Sequence, residues 1–170
     1  MVSVFSPLSR SATRKNPLSW LRMRSENLDM VVSPLWVGGE SPGALRRAVK
    51  LGNAWYPGNN SQLRPLDTIA RLEIAFTELQ RACERSGRDP ASLGRCVLIQ
   101  DFFDWTPRKT EDGRARRLFT GSSADMTQDA ASLSGLGITH AALRLGGDSL
   151  DEALERIERF GAEVIANTAA

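Results

Sequence analysis

The sequence predicts a parallel α/β fold built from four consecutive strand–helix units. From Pro34 onward, short apolar runs alternate with longer stretches whose apolar residues recur every three or four positions. Each run closes on glycine, proline or a helix-capping residue. One run, Cys96-Val97-Leu98-Ile99, is apolar without alternation, as expected of a parallel strand covered on both faces. Parallel neighbours require a crossover, and the usual crossover is a helix. A doubly wound sheet and half of a closed barrel both satisfy this pattern.

The first unit opens on Leu35, Trp36 and Val37 and is stopped by Gly38-Gly39. Ser41 then supplies an N-cap and Pro42 the first helical position. The helix that follows carries Ala44, Leu45, Ala48 and Val49 on one face, Arg46, Arg47 and Lys50 on the other, and ends at Gly52. A second strand, Asn53-Ala54-Trp55-Tyr56, is terminated by Pro57-Gly58 and leads into a polar loop over 59–64. Leu66, Ile69, Leu72, Phe76, Leu79 and Cys83 mark the clearest helix, closed by Ser86-Gly87 and Asp89-Pro90. After the third strand at 96–99, residues 104–118 read as a long surface loop whose Arg108, Lys109, Arg114, Arg116 and Arg117 are solvated charge. A third helix starts at Ser122 or Ser123 and carries Met126, Ala130, Leu133 and Leu136 before Gly137. Residues 138–145 give the fourth strand, Ser149-Leu150-Asp151-Glu152 a capping box, and Leu154, Ile157, Phe160 and Val164 the stripe of a last helix.

A chain of 170 residues with 41% hydrophobic and 25% charged residues suits one soluble domain. No apolar run approaches the roughly 18 residues needed to span a bilayer, so a cytoplasmic protein is expected, without a membrane partner. Cys83 and Cys96 lack any CxxC or Cys/His grouping and read as reduced core thiols; no metal site is expected. The net charge of +2 is uneven: residues 1–33 hold Arg10, Arg14, Lys15, Arg22 and Arg24 against Glu26 and Asp29, so the remainder is slightly acidic. Nucleic-acid binding by the body of the chain is not implied. Residues 1–33 read as a poorly ordered basic segment and 34–170 as the folded domain. The G-x-S-x-G, Walker A, HExxH and G-x-G-x-x-G patterns are absent, which argues against the corresponding hydrolase, nucleotide-hydrolase, metalloprotease and dinucleotide-binding chemistries.

The segment Pro34-Leu35-Trp36-Val37-Gly38-Gly39-Glu40-Ser41-Pro42, followed by Leu45-Arg46-Arg47-Ala48 and then Gly52-Asn53-Ala54-Trp55-Tyr56-Pro57, resembles the luciferase-like monooxygenase superfamily, particularly its F420-dependent oxidoreductases. Ser86-Gly87-Arg88-Asp89-Pro90, Thr120-Gly121-Ser122 and Gly137-Ile138-Thr139-His140 match the order of that family's segments. The resemblance covers about residues 34–165. It implies the C-terminal half of a TIM (β/α)8 barrel and an F420 or FMN cofactor at the carboxyl ends of the strands, acting on a small organic substrate. It also places Gly38 and Gly39 at the cofactor phosphate; Trp55, an aromatic at a strand end, is expected to line the cofactor or substrate cavity. The physical reading agrees for the glycines, because they let backbone approach an anion and the helix beginning at Pro42 directs its positive end there. Where relatives carry Asp-Gly-Trp this chain has Asn53-Ala54-Trp55, which puts the geometry of that strand in question.

Active groups of a barrel sit where strands end, which selects Glu40, Trp55, Tyr56, Asp101 and Arg144. His140, the only histidine, begins its strand at the opposite end, so a structural role is expected. The residues that begin the chemistry belong to the family's first four strands, and no catalytic residue is assigned. Two functions are therefore expected: a flavin- or deazaflavin-dependent oxidoreductase lacking part of its site, or a non-catalytic half-barrel serving as a remnant or association module. An incomplete barrel would leave open edges near Trp36 and Ala142 and uncover Val37, Val97, Ile99 and Leu143. A homodimer or a missing N-terminal half is the expected partner.

Overall fold

The computed structural model describes residues 2–5, 33–100 and 105–168. Five strands form one sheet: β1 (Val2–Phe5), β2 (Trp36–Gly38), β3 (Ala54–Tyr56), β4 (Gly94–Ile99) and β5 (His140–Leu143), in the spatial order β1-β5-β4-β3-β2. Strands β2 to β5 are mutually parallel, with Trp36 beside Ala54, Ala54 beside Gly94 and Cys96 beside His140. Helices α1 (Pro42–Leu51), α2 (Ile69–Arg85), α3 (Ser123–Gly135) and α4 (Leu150–Phe160) follow the parallel strands in turn. The parallel strands lie in chain order, without the reversal of a doubly wound sheet, which decides for the arc of a barrel. No helix among the described residues is long and apolar enough to cross a membrane.

Strand pleating sends alternate side chains to opposite faces. Trp55, Val97, Ile99 and Leu143 join Leu45, Ala48 and Val49 of α1, Leu72, Phe76 and Leu79 of α2, and Met126 and Leu133 of α3 in one core. The other face carries Trp36, Ala54, Tyr56, Gly94, Cys96 and His140. In a flat sheet β2 and β5 would stand three spacings of ~4.8 Å apart, about 14 Å. The rings of Trp36 and His140 meet at 5.2 Å between centroids, and Trp36 meets Tyr56 at 5.6 Å. The sheet is therefore curled, with the aromatic face concave and the helices outside. Small residues allow the curl: a Cβ on Gly94 would lie 3.1 Å from Ala54 Cβ.

Several expectations change against this frame. Val97, Ile99 and Leu143 face the helices and are buried, and Val37 packs against the same core, so none of the four lines the barrel interior. The edge of β5 is occupied, because Val2–Phe5 pairs with it antiparallel from Val2 beside Leu143 to Phe5 beside His140. That strand lies inside the segment expected to be poorly ordered; residues 6–32 of that segment are outside the described residues. In the last helix Phe160 and Val164 are buried as expected, but Leu154 is 48% exposed and the helix widens into a π turn over Gly161–Ile165. Ser149 caps it by accepting from Glu152 N, whereas the Glu152 carboxylate reaches Asp148 N instead of the cap residue, so the box is not reciprocal. The reciprocal box occurs at α3, between Ser122 and Asp125.

The loop between β4 and α3 is also more than solvated charge. Asp129, buried on α3, accepts from both terminal nitrogens of Arg116 at 2.7 and 2.8 Å and from Phe119 N at 2.8 Å. Asp67, equally buried, binds Arg71 at 2.7 Å and Arg117 at 3.2 Å, and its carbonyl accepts from Leu118 N. These two aspartates fasten Leu118 and Phe119 into the core, Asp67 through its backbone carbonyl and Asp129 through its carboxylate, with Phe119 held at a φ of 54°. The Ser86-Gly87-Arg88-Asp89-Pro90 segment works similarly. Gly87 turns the chain at φ 70°, and Arg88 donates to the carbonyls of Ala48 and Val49, closing the end of α1 from another unit.

Replacing Asp129 with alanine strands a buried N–H and a partly buried guanidinium. We expect Asp129→Ala to lower unfolding free energy by about 3 kcal/mol and Asp129→Asn by roughly half that. Urea denaturation measures it; a loss under about 1 kcal/mol for the alanine variant would show that the loop is not anchored there.

Candidate functional site

The carboxyl ends of β2, β3, β4 and β5 open on one rim, where the turns after β2 and β3 are fastened to each other. Glu40 lies just beyond β2, and its Oε1 accepts from Gly58 N at 2.6 Å. Asn59, 1% exposed, continues the chain of bonds: its Oδ1 accepts from Gln100 N at 2.8 Å, and its own N–H donates to Leu98 O. Three strand ends are thus tied in sequence. Sequence reasoning placed Asn59 in a polar loop and missed this; its burial depends on β4, about forty residues away.

Trp55 has no exposed surface. Its ring packs edge-on against Phe76 at 5.4 Å on the convex side, and its indole N–H donates to Gly39 O at 2.9 Å. Any part it takes in binding therefore passes through its hold on the Gly-Gly turn. Arg64 holds the next peptide, donating to Glu40 O at 3.2 Å while its other terminal nitrogen binds Glu78 at 2.5 Å. A trans peptide points its C=O and N–H in opposite directions. With the carbonyls of Gly39 and Glu40 drawn toward Trp55 and Arg64, the N–H groups of Glu40 and Ser41 point the other way. Successive amides that turn to one side are the arrangement that anion-binding concavities use.

The first turn of α1 adds to it. Ser41 Oγ accepts from Ala44 N at 3.1 Å and Leu45 N bonds Ser41 O, so the cap is formed, and the helix directs its positive end at the same turn. The two glycines differ. Gly39 sits at φ 99°, and a Cβ there would meet Ala44 Cβ at 3.2 Å, so the turn itself demands glycine. Gly38 has no such demand: a Cβ there would meet only Tyr56 O at an ordinary 3.5 Å, and the residue is exposed on the rim.

The remaining candidates are distributed around this turn. Tyr56 ends β3, half-buried against Trp36; burial, then the nearby Cys96, raises its phenol above the ordinary range. Arg144 follows β5, donates its N–H to Ile99 O and exposes its side chain. His140 begins β5 at the opposite end, with Nδ1 3.0 Å from Thr139 Oγ1. Asp101 lies outside the described residues. Asn53 causes no distortion: its Oδ1 accepts from Leu35 N at 2.8 Å and the parallel register continues. Among the described residues no three His, Cys, Asp or Glu side chains come together to hold a metal.

No protein-family model and no curated protein sequence matches the chain. Solved structures do. A coenzyme F420-dependent tetrahydromethanopterin reductase from Methanopyrus kandleri superposes with a TM-score of 0.54 at 13% identity, over 79% of this chain and 51% of that one. An F420-dependent secondary alcohol dehydrogenase in complex with an F420-acetone adduct gives 0.54 at 13% identity, over 80% and 49%. Both are TIM barrels. At such identities the likeness is one of fold, and the chain spans about half the length of either structure.

Beneath the aromatic face, burial pushes the Cys96 thiol up to about 11, against a lowering hydrogen bond from Thr139. A thiol pKa raised by folding contributes stability below the unfolded value near 9 that is lost as pH rises toward 11. We expect a decline of about 2–3 kcal/mol across that window, smaller in Cys96→Val, and negligible reaction of either buried cysteine with a disulfide reagent at pH 8 in the native state. Rapid native-state labelling of Cys96 at pH 8 would contradict its burial.

Proposed function

We propose that this chain carries the phosphate-binding half of a flavin- or deazaflavin-dependent oxidoreductase site, with F420 preferred to FMN. One observation carries the reading: Trp55 and Arg64 hold the carbonyls of Gly39 and Glu40, which turns the N–H groups of Glu40 and Ser41 outward beside the start of α1. Such a cradle suits a phosphate monoester or diester. Gly38 supports it, being glycine where the fold accepts a side chain, so that its absence leaves room for a ligand to approach the backbone. The preference for F420 rests on the family resemblance and on the two F420-dependent enzymes whose fold the chain shares.

When bound, the cofactor supplies hydride transfer to or from an organic substrate. The residues described here bind and orient it: Glu40 and Ser41 through their amides, Gly39 through its turn, and Trp55 by fixing that turn from the core. The Glu40–Gly58 and Asn59–Gln100 bonds keep the strand ends from spreading, so the cradle is set before a ligand arrives. The rest of the site comes from further strands, in a second copy or in an N-terminal half. A second copy adding to β5 would first have to displace β1. A non-catalytic half-barrel is the second reading, favoured by the span of about half of either related structure.

Titration of the purified chain with F420 and with FMN, followed by fluorescence, tests the proposal. Saturable F420 binding that inorganic phosphate competes away is expected, weakened about tenfold or more in Gly39→Val and several-fold in Gly38→Val. The second variant keeps the turn intact and so reports the cradle alone. Failure to bind either cofactor would remove the reading; binding without hydride exchange would favour the non-catalytic half-barrel.

A further inference from the structure

The convex surface holds a second feature, a cleft of about 330 Å³ between α1 and α2. Leu45 and Arg46 of α1, Glu78, Arg81, Ala82 and Arg85 of α2, and Arg64 line it. Arg64 is already neutralised by Glu78. Arg46, Arg81 and Arg85 form no ion pair with any described residue. Other arginines are paired with carboxylates: Arg71 and Arg117 share Asp67, Arg116 has Asp129, and Arg159 has Glu163. Arg81 and Arg85 stand one helical turn apart on the same face, about 5–6 Å, a like-charged pairing that weakens the helix unless an anion lies between.

We propose that this cleft binds an extended acidic peptide segment. In an extended chain every second side chain falls on the same side at a repeat of about 6.6 Å, close to the spacing of Arg81 and Arg85. Guanidinium groups take carboxylates in paired hydrogen bonds. Glutamate fits better than aspartate, since its longer methylene stem can cover Leu45 and Ala82 while its carboxylate reaches the rim. The net charge of the chain is only +2, so the attraction is local to the cleft. The proposal does not rest on the cofactor reading, although Arg64 both lines the cleft and holds Glu40 O, and the variants below leave Arg64 in place.

Fluorescence anisotropy of the full chain with a labelled hexaglutamate peptide tests it, beside a Gly-Ser peptide of equal length. Binding should weaken with salt and fall at least tenfold in Arg81→Glu/Arg85→Glu and several-fold in Arg46→Glu. The variant Arg47→Glu/Lys50→Glu, which makes the same charge change on α1 outside the cleft, should stay within about twofold of the parent. Arg81→Gln/Arg85→Gln removes the charge with little effect on helix propensity and decides the matter if the Glu variant does not fold. Equal loss in the Arg47/Lys50 variant, equal binding of the Gly-Ser peptide, or displacement by inorganic phosphate at equal charge concentration would overturn the proposal.

Discussion

A parallel sheet has two faces to cover, and the helices of this chain cover only one. The rest of the structure depends on that constraint. α1, α2 and α3 take the convex side, where Trp55, Val97, Ile99 and Leu143 supply the apolar surface, at about 25 cal/mol for each Å² withdrawn from water. The concave side closes on itself by curling. Ala54 and Gly94 are small enough for neighbouring strands to approach, and Trp36 then leans across β3 and β4 to reach His140. Cys96 is buried beneath these rings although it belongs to no helix interface.

Curling also fixes where polar groups meet. Strand ends that would spread apart in a flat sheet converge on one rim, and the side chains there bond to backbone rather than to each other. Glu40 holds Gly58, Asn59 holds Gln100, and Trp55 holds Gly39. Each bond satisfies a group that the turn would otherwise leave unpaired, and such satisfaction is obligatory where water is excluded. The same rule governs the long loop before α3, where Asp67 and Asp129 gather arginines and backbone amides into a buried network. The cradle proposed for phosphate is thus a by-product of stable turn construction: carbonyls bonded inward leave amides facing outward.

Much of this was legible in the sequence. Short apolar runs and a periodicity of three to four residues, with Gly, Pro and Ser as punctuation, located all four strand–helix units, because these signals act within a few residues of themselves. Gly39 was legible for the same reason, since a strand that must turn at once into a helix needs a residue tolerating positive φ. The Cys83 and Cys96 thiols were legible as core residues from their apolar surroundings.

Other features depended on which surfaces tertiary packing brings together. The sequence could not say that Trp55 points at Phe76 rather than into the barrel, because a one-residue change of strand register exchanges the two faces. It could not pair Arg116 with Asp129 or Asp67 with Arg117, nor show that Arg46, Arg81 and Arg85 share one cleft, since those partners are chosen across helices and loops. Nor did it reveal β1: the short run Val2–Phe5 becomes a strand only where β5 offers an edge to bond. Local physics, carried by residue type and spacing, determined the elements and their order. The curl of the sheet, a collective property of side-chain sizes on its two faces, decided which groups stand together at the rim and in the cleft.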